Sequence, residues 1–255
     1  MSELRHQTFE HGSPIQFRTE IADAVLERIS FLRLVEELLK IIKRDGHIKL
    51  TAKLGALPRR VLGELHDHHF IAEPHIDDTG FKLHVEDDSP VMGTLHAVAC
   101  ISGLVRKVHG KLVLTKLGER VLDAKSRRQL FNIVFSTFTR KFNWGYNDGY
   151  PAFHLCQTAF DFSLYMVARF GGQAGHKDFY AHKFLTAFPD SINEFLGHRW
   201  STPEHVFKMC YRIRTFDRFL EWFNLVDVEP NEEDGIRKRS LVRKSEIMDE
   251  IFVSG

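Results

Sequence analysis

The sequence predicts a mainly α-helical protein with two small antiparallel β-hairpins, one in each of two tandem modules. Three observations predict this fold class. Apolar residues recur at helical spacing over most of the chain. Short apolar segments flank turns at 104–114 and again at 225–242. Most of the 22 Phe residues lie from Phe131 onward, which indicates a Phe-rich helical middle that joins the two modules.

The first hairpin is the clearest local pattern in the chain. Apolar residues precede and follow the His109–Gly110 turn, as expected for two short strands with one apolar side. Thr115 follows the second strand and is placed to cap a helix that begins beyond it.

Before this hairpin, the polar segment 1–14 predicts a flexible arm. Helical spacing over 15–43 predicts one or two helices with a break near Ser30, and Gly46 is suited to the position after them. The elements that follow are a strand at 47–51, a helix at 57–66, an acidic insertion without helical period at 70–89, and a helix from Pro90 to 101.

After the hairpin, the sequence predicts several helices, then a second hairpin and a last helix. Thr202 and Pro203 are placed as the cap and first residue of the longest helix. The predicted helices are 130–142, 153–170, 178–188, 191–196, 202–223 and one from Ser245, with strands at 225–229 and 236–242 around an acidic turn at 230–235.

The order of elements over about 30–123 resembles that of the winged helix-turn-helix superfamily. This order is helix, strand, helix, insertion, helix, strand, strand and helix. The resemblance implies two tandem winged-helix-like modules, at 15–128 with its insertion at 70–89, and at 129–255 with a helical segment before the second module. The chain is also similar to an uncharacterised, partly plasmid-associated bacterial family. That likeness rests on LTAKLGALPRRV, KLVLTKLGERVL, KFNWGYNDGYP and DFYAHKFLTAFP, and it implies no activity.

Composition narrows the class of protein further. The chain has 35 Lys and Arg against 34 Asp and Glu, so no overall charge favours nucleic acid. No apolar run approaches a membrane span and the N-terminus lacks a signal-peptide core, so the expected location is cytoplasmic without membrane contact. Three widely spaced cysteines, Cys100, Cys156 and Cys210, predict reduced, buried thiols.

Charge is nevertheless uneven along the chain. Residues 104–141 hold ten Lys or Arg against two carboxylates, whereas 58–90 hold eight carboxylates against three Lys or Arg. The basic segments predict phosphate contacts. The alternative is a merely solvated hairpin in the first module and, in the second, ion pairing with Asp217, Glu221, Glu232, Glu233 and Asp234. The candidate nucleic-acid-binding residues are Arg106, Lys107, Lys111, Lys208, Arg212, Arg214, Arg218, Arg237, Lys238 and Arg239.

Two further features qualify that prediction. The helix from Pro90 to Ile101 has no Lys, Arg, Asn or Gln, which argues against sequence-specific readout by the first module and makes the second module the better candidate. The loop 142–151 concentrates aromatic residues and predicts an interaction loop with Trp144, Tyr146 and Tyr150. The favoured interpretation of this loop, however, is a structural turn in which Trp144 and Tyr146 fill the core.

No motif for catalysis is found, so we expect neither an enzyme nor a cofactor. The segment His66–Asp67–His68–His69, with His75 and His84, suggests a metal hypothesis, but its spacing matches no known ligand pattern and no metal is predicted. The sequence therefore predicts a non-enzymatic binding protein whose partner is nucleic acid, such as DNA, held by phosphate contacts. The alternative is a protein-interaction or homodimerisation scaffold that does not bind DNA.

Overall fold

The computed structural model describes residues 13–123, 127–197, 201–229 and 241–254. Helices account for 57% and strands for 11% of the structure, which confirms the predicted mainly α fold with small sheets. The chain divides into two compact units. The first unit is Leu26–Phe142, and the second comprises the described residues before and after it.

Strand β1 (Ile15–Phe17) and helix α1 (Asp23–Leu26) open the described chain. The elements that follow, up to Phe142, are α2 (Ser30–Asp45), β2 (Ile48–Lys49), α3 (Arg59–His66), α4 (Pro74–Asp77), a 3-10 turn (Glu86–Asp88), α5 (Pro90–Ile101), β3 (Val105–Val108), β4 (Lys111–Leu114), α6 (Lys116–Asp123) and α7 (Arg127–Arg140).

The second unit continues with a further set of helices and strands: α8 (Leu155–Thr158), α9 (Phe160–Phe170), β5 (Gly175–His176), α10 (Lys177–Ala187), a 3-10 helix (Pro189–Phe195), α11 (Pro203–Tyr211) with a π-helical continuation (Arg212–Leu220), β6 (Val226–Glu229), β7 (Leu241–Lys244), α12 (Glu246–Ile251) and β8 (Phe252–Ser254). The predicted arm up to residue 12, the turn at 230–235 and the first residues of the strand at 236–242 lie outside the described residues.

Each unit holds a three-stranded antiparallel sheet in which a hairpin pairs with one earlier short strand. The order is β2-β4-β3 in the first unit and β5-β7-β6 in the second. In the first sheet Leu112 pairs with Ile48 on one side and Lys107 on the other, and Leu112 and Ile48 are buried.

Two parts of the second unit differ from the sequence prediction. Ile15–Phe17 is a strand rather than the start of a helix, because it pairs with β8 at the other end of the described chain. Phe17 stacks on Phe252 with ring centroids 5.0 Å apart. The predicted helix at 153–170 is interrupted at Ala159, which ends α8 and precedes α9.

The aromatic core predicted for the second half lies in the second unit. Phe153, Phe184 and Phe207 contact one another edge to face or tilted, and Phe195 joins them. The cysteines form no disulfide; Cys156 and Cys210 are buried, whereas Cys100 is partly exposed rather than buried. No helix in the described ranges is long and apolar enough to span a membrane.

Candidate functional site

The hairpin β3–β4 and the loop at 50–57 form one surface of the first unit, which we call the cationic tip. The backbone N–H of Leu50 donates to the carbonyl of Gly110 at 2.9 Å. Lys107 Nζ donates to the carbonyl of Gly55 at 3.0 Å. These bonds hold two segments that are about fifty residues apart in sequence against each other.

Five exposed cations belong to the cationic tip: Lys49, Lys53, Arg106, Lys107 and Lys111. None of the five forms an ion pair within the part of the chain that the structure describes. The two segments that build the tip, 47–59 and 104–118, contain seven Lys or Arg and no Asp or Glu. Positive charge at the tip is therefore not neutralised by the segments that carry it.

The same surface has two other features. Leu54, in the loop, is 66% exposed, so the tip presents one apolar side chain among its cations. Arg106 lies on the wall of an open groove that also contains Glu119 and Asp123 of α6. Arg106 therefore shares this groove with two carboxylates, whereas Lys107 and Lys111, nearer the hairpin turn, do not line it.

Helix α5, which leads into the hairpin, presents almost no surface. Its residues are buried or half-buried along its length, and Ile101 at its end is the exposed one. Ser89 caps the helix by accepting from Met92 N–H at 3.0 Å. A helix enclosed in this way has no side chains with which to contact base edges.

Arg214 is fully buried and does not form part of an exposed basic face. Its guanidinium donates to both carboxylate oxygens of Asp148, at 2.6 and 3.1 Å, and to the carbonyls of Pro151 and Phe153. Both side chains are about 1% exposed. Helical spacing places Arg214 on the same face as Arg218, but that face is turned toward the loop at 143–151.

The other predicted cations of this helix are also engaged. Arg218 donates to the carbonyl of Tyr146 at 2.8 Å, Arg212 to Asp178 at 3.4 Å, and Lys208 pairs with Glu204 at 2.8 Å. Ion pairing was the alternative to phosphate binding, but the partners Asp148, Asp178 and Glu204 differ from the carboxylates near 217–234 that the sequence suggested. Arg237, Lys238 and Arg239 lie outside the described residues.

Arg214 and Arg218 hold the loop at 143–151 in place through hydrogen bonds to Asp148 and to backbone carbonyls of the loop. Trp144 is buried and packs on Phe219 with ring centroids 4.9 Å apart. Tyr146 is 38% exposed and Tyr150 is half-buried. Trp144 therefore fills the core, as in the interpretation of this loop as a structural turn. Tyr146 is the most exposed of the three predicted interaction residues.

A second cluster brings together His66, His69 and Asp77, whose ligand atoms lie within 4.8 Å of one another. His66 ends α3, His69 lies in the turn beyond it, and Asp77 ends α4 in the acidic insertion. Sequence spacing identified the two histidines but missed Asp77, because the chain returns to α3 only through the fold of the insertion. Acidic residues within a dozen positions of a histidine pair were the available signal.

A buried ion pair lies where the insertion meets α5. Glu86 Oε2 accepts from the backbone N–H of Leu57 at 2.7 Å and contacts His96 Nδ1 at 2.8 Å. Burial lowers the pKa of His96, but the neighbouring Cys100 and Glu86 outweigh that effect and raise the pKa to about 9. The charged pair therefore holds the insertion, the loop at 50–57 and α5 together.

Comparison of the chain with protein-family models finds no match, and comparisons with curated proteins and with solved structures find none either.

Proposed function

We propose that this chain is a non-enzymatic nucleic-acid-binding protein that grips the phosphate backbone through the cationic tip of its first unit. The observation that supports the proposal is the meeting of two carboxylate-free segments, 47–59 and 104–118, at one end of a sheet. Clustered Lys and Arg release counterions from nucleic acid when they neutralise phosphates, which favours binding at low salt.

The arrangement of the first unit supports a winged helix-turn-helix assignment. Helix α2, strand β2, helices α3 and α5 and the hairpin follow one another in that order, and the sheet order is β2-β4-β3. The hairpin is then the wing, an element that contacts phosphate or the minor groove in such proteins. The second unit repeats the element order and the sheet order, so we propose the same assignment for it.

Binding by the tip is expected to be insensitive to base sequence. Helix α5 takes the position of the recognition helix, yet it is enclosed by its own unit. Lys and Arg side chains on a hairpin position a protein on the duplex without reading its sequence. In the second unit, Lys208, Arg212, Arg214 and Arg218 are all engaged with the protein itself, which leaves the first hairpin as the better candidate.

The test is a comparison of two charge-reversal variants of equal net charge. The tip variant replaces Lys49, Lys53 and Lys111 by Glu. The control variant replaces Lys82, Arg140 and Lys141 by Glu, because these residues are also exposed and form no ion pair within the described ranges. Binding to a fluorescently labelled random-sequence duplex is measured by anisotropy at about 50 mM salt, where phosphate contacts are strongest.

We expect the tip variant to weaken binding by about tenfold or more, and the control variant by much less. Equal losses in both variants would mean that overall charge, rather than the tip, determines binding. Circular dichroism of each variant verifies that the helical content is unchanged. Duplexes of several sequences should bind alike, because the proposed contacts are to phosphates.

A further inference from the structure

The acidic insertion of the first unit contains a site of a different kind. We propose that His66, His69 and Asp77 bind a divalent transition-metal ion, with Zn²⁺ as the best match to this donor set. The site is independent of the cationic tip, and the sequence predicted no metal.

The distances from the two histidine nitrogens to the Asp77 carboxylate fit such an ion, and all three donor atoms lie within 4.8 Å of one another. His66 Nε2 lies 3.3 Å from Asp77 Oδ1, and His69 Nδ1 lies 3.6 Å from the same oxygen. Bonds of about 2.0–2.1 Å at tetrahedral angles place neighbouring donors about 3.3 Å apart. The three side chains can therefore surround one ion with small adjustments.

The orientation of the donors supports the same conclusion. His66 Nε2 is buried and makes no hydrogen bond within the described chain, even though it faces the Asp77 carboxylate. The other carboxylate oxygen, Oδ2, accepts from the backbone N–H of Glu73 at 2.8 Å, which leaves Oδ1 directed toward the histidines. A hydrogen bond behind a ligating carboxylate fixes its orientation, as is usual in metal sites.

The backbone also brings His69 into position. His69 has φ of +49°, in the left-handed region that is uncommon for residues other than glycine. Its N–H donates to the carbonyl of His66 at 2.9 Å, and the two rings meet edge to face with centroids 5.2 Å apart. This tight turn places two imidazoles on one side of the end of α3.

The donor types determine which ion fits. Two imidazoles and one carboxylate suit Zn²⁺ and similar transition metals, whereas Mg²⁺ and Ca²⁺ take oxygen ligands. Three protein ligands leave a fourth position for water in a tetrahedral site. An ion bound here would link the end of α3 to α4, and so fasten the insertion to the helix before it.

The experiment measures Zn²⁺ binding to the full, untagged chain after treatment with a chelator. Isothermal titration compares the wild type with His69→Ala and Asp77→Asn, two changes at partly exposed residues. His68→Ala is the matched control, because His68 is adjacent in sequence but stacks on Phe70 rather than facing the cluster. Comparison with His68→Ala shows how much Zn²⁺ affinity is lost when a histidine outside the cluster is removed.

We expect one tight Zn²⁺ site in the wild type and in His68→Ala, weakened by about tenfold or more in His69→Ala and Asp77→Asn. Bound Co²⁺ should give a visible absorption spectrum in the first two proteins, and the other two should lose it. The absence of a tight site in the wild type would overturn the proposal. A tight site that survives both ligand variants would also overturn it.

Discussion

Ser245 in the second unit makes the hydrogen bonds that Thr115 makes in the first. The Thr115 hydroxyl donates to the carbonyl of Gly103 at 2.7 Å, and the Ser245 hydroxyl donates to the carbonyl of Asn224 at 2.6 Å. Gly103 and Asn224 both have positive φ and both precede the first strand of a hairpin. One hydroxyl in each unit therefore joins the start of the hairpin to the helix that follows it.

The same two residues also cap those helices. The Thr115 hydroxyl accepts from Gly118 N–H at 3.1 Å, and the Ser245 hydroxyl accepts from Met248 N–H at 3.2 Å. Loss of a cap costs about 0.5–2 kcal/mol, and the donated bond adds to that. We expect Thr115→Ala and Ser245→Ala each to lower the free energy of unfolding by about 2 kcal/mol.

Urea unfolding followed by circular dichroism measures these losses. Thr115→Ser and Ser245→Thr are the matched controls, because each keeps the hydroxyl. Controls as unstable as the alanine variants would contradict the account.

Arg214 and Asp148 give a second prediction. Arg214→Ala should destabilise the protein by about 3–5 kcal/mol, because it leaves a buried carboxylate without its partner. Arg214→Lys should also destabilise it, since a lysine cannot donate in the directions of the four acceptors. Thermal unfolding of both variants is compared with Arg212→Ala, whose partner Asp178 is more exposed. If Arg214→Ala cost no more than Arg212→Ala, the buried pair would not hold the loop.

Glu86 and His96 predict a pH dependence. A histidine whose folded pKa is raised to about 9 contributes stability that is fully present below its unfolded pKa of about 6.5. That contribution is lost as the pH rises through about 9. We expect the urea midpoint of the wild type to fall across this range, and that of Glu86→Gln to fall less. Parallel curves for the two proteins would show that the ion pair is not responsible.

Gly118 tests the close packing of α6 on the hairpin. A Cβ at this position would lie 2.2 Å from the carbonyl oxygen of Leu104, which is backbone and cannot move aside easily. Gly118→Ala should therefore destabilise the first unit by more than about 1 kcal/mol, as expected of an overpacked core. Gly63→Ala is the control, because nothing lies within 4 Å of its Cβ position in α3. There the change should stabilise the helix by about 0.5–1 kcal/mol.

Local patterns predicted the elements that local residues determine. The hairpin at 104–114, the capping role of Thr115 and the start of α11 at Thr202–Pro203 all depend on neighbours within a few residues. Strands β1, β5 and β8 were missed because each has two or three residues and exists through pairing with a distant segment.

The alignment of the two hairpins shows the same limit. By sequence alone, Leu112-Val113-Leu114-Thr115 aligns with Ser240-Leu241-Val242-Arg243, so Leu112 corresponds to Ser240. Strand pairing instead makes Leu112 correspond to Val242, because Leu112 pairs with Ile48 of β2 and Val242 pairs with Gly175 of β5. Only the hydrogen-bonding register distinguishes these two alignments.

The candidate sites depended still more on distant contacts. Arg214 could not be recognised as buried from sequence, because Asp148 is 66 residues away. Asp77 likewise joins His66 only through the fold of the insertion. In contrast, Arg106, Lys107 and Lys111 are exposed on a hairpin that local residues determine, while Lys49 and Lys53 reach the same surface through the pairing of β2 with β4.

The salt dependence of duplex binding tests the central proposal most directly. Affinity is measured between about 50 and 200 mM salt for the wild type and the variant with Lys49, Lys53 and Lys111 replaced by Glu. We predict a steep fall of log K with log salt for the wild type, and a slope reduced by about 0.9 for each phosphate that the variant no longer neutralises. Equal slopes for the two proteins, or no binding by the wild type at the lower salt, would contradict phosphate binding by the cationic tip.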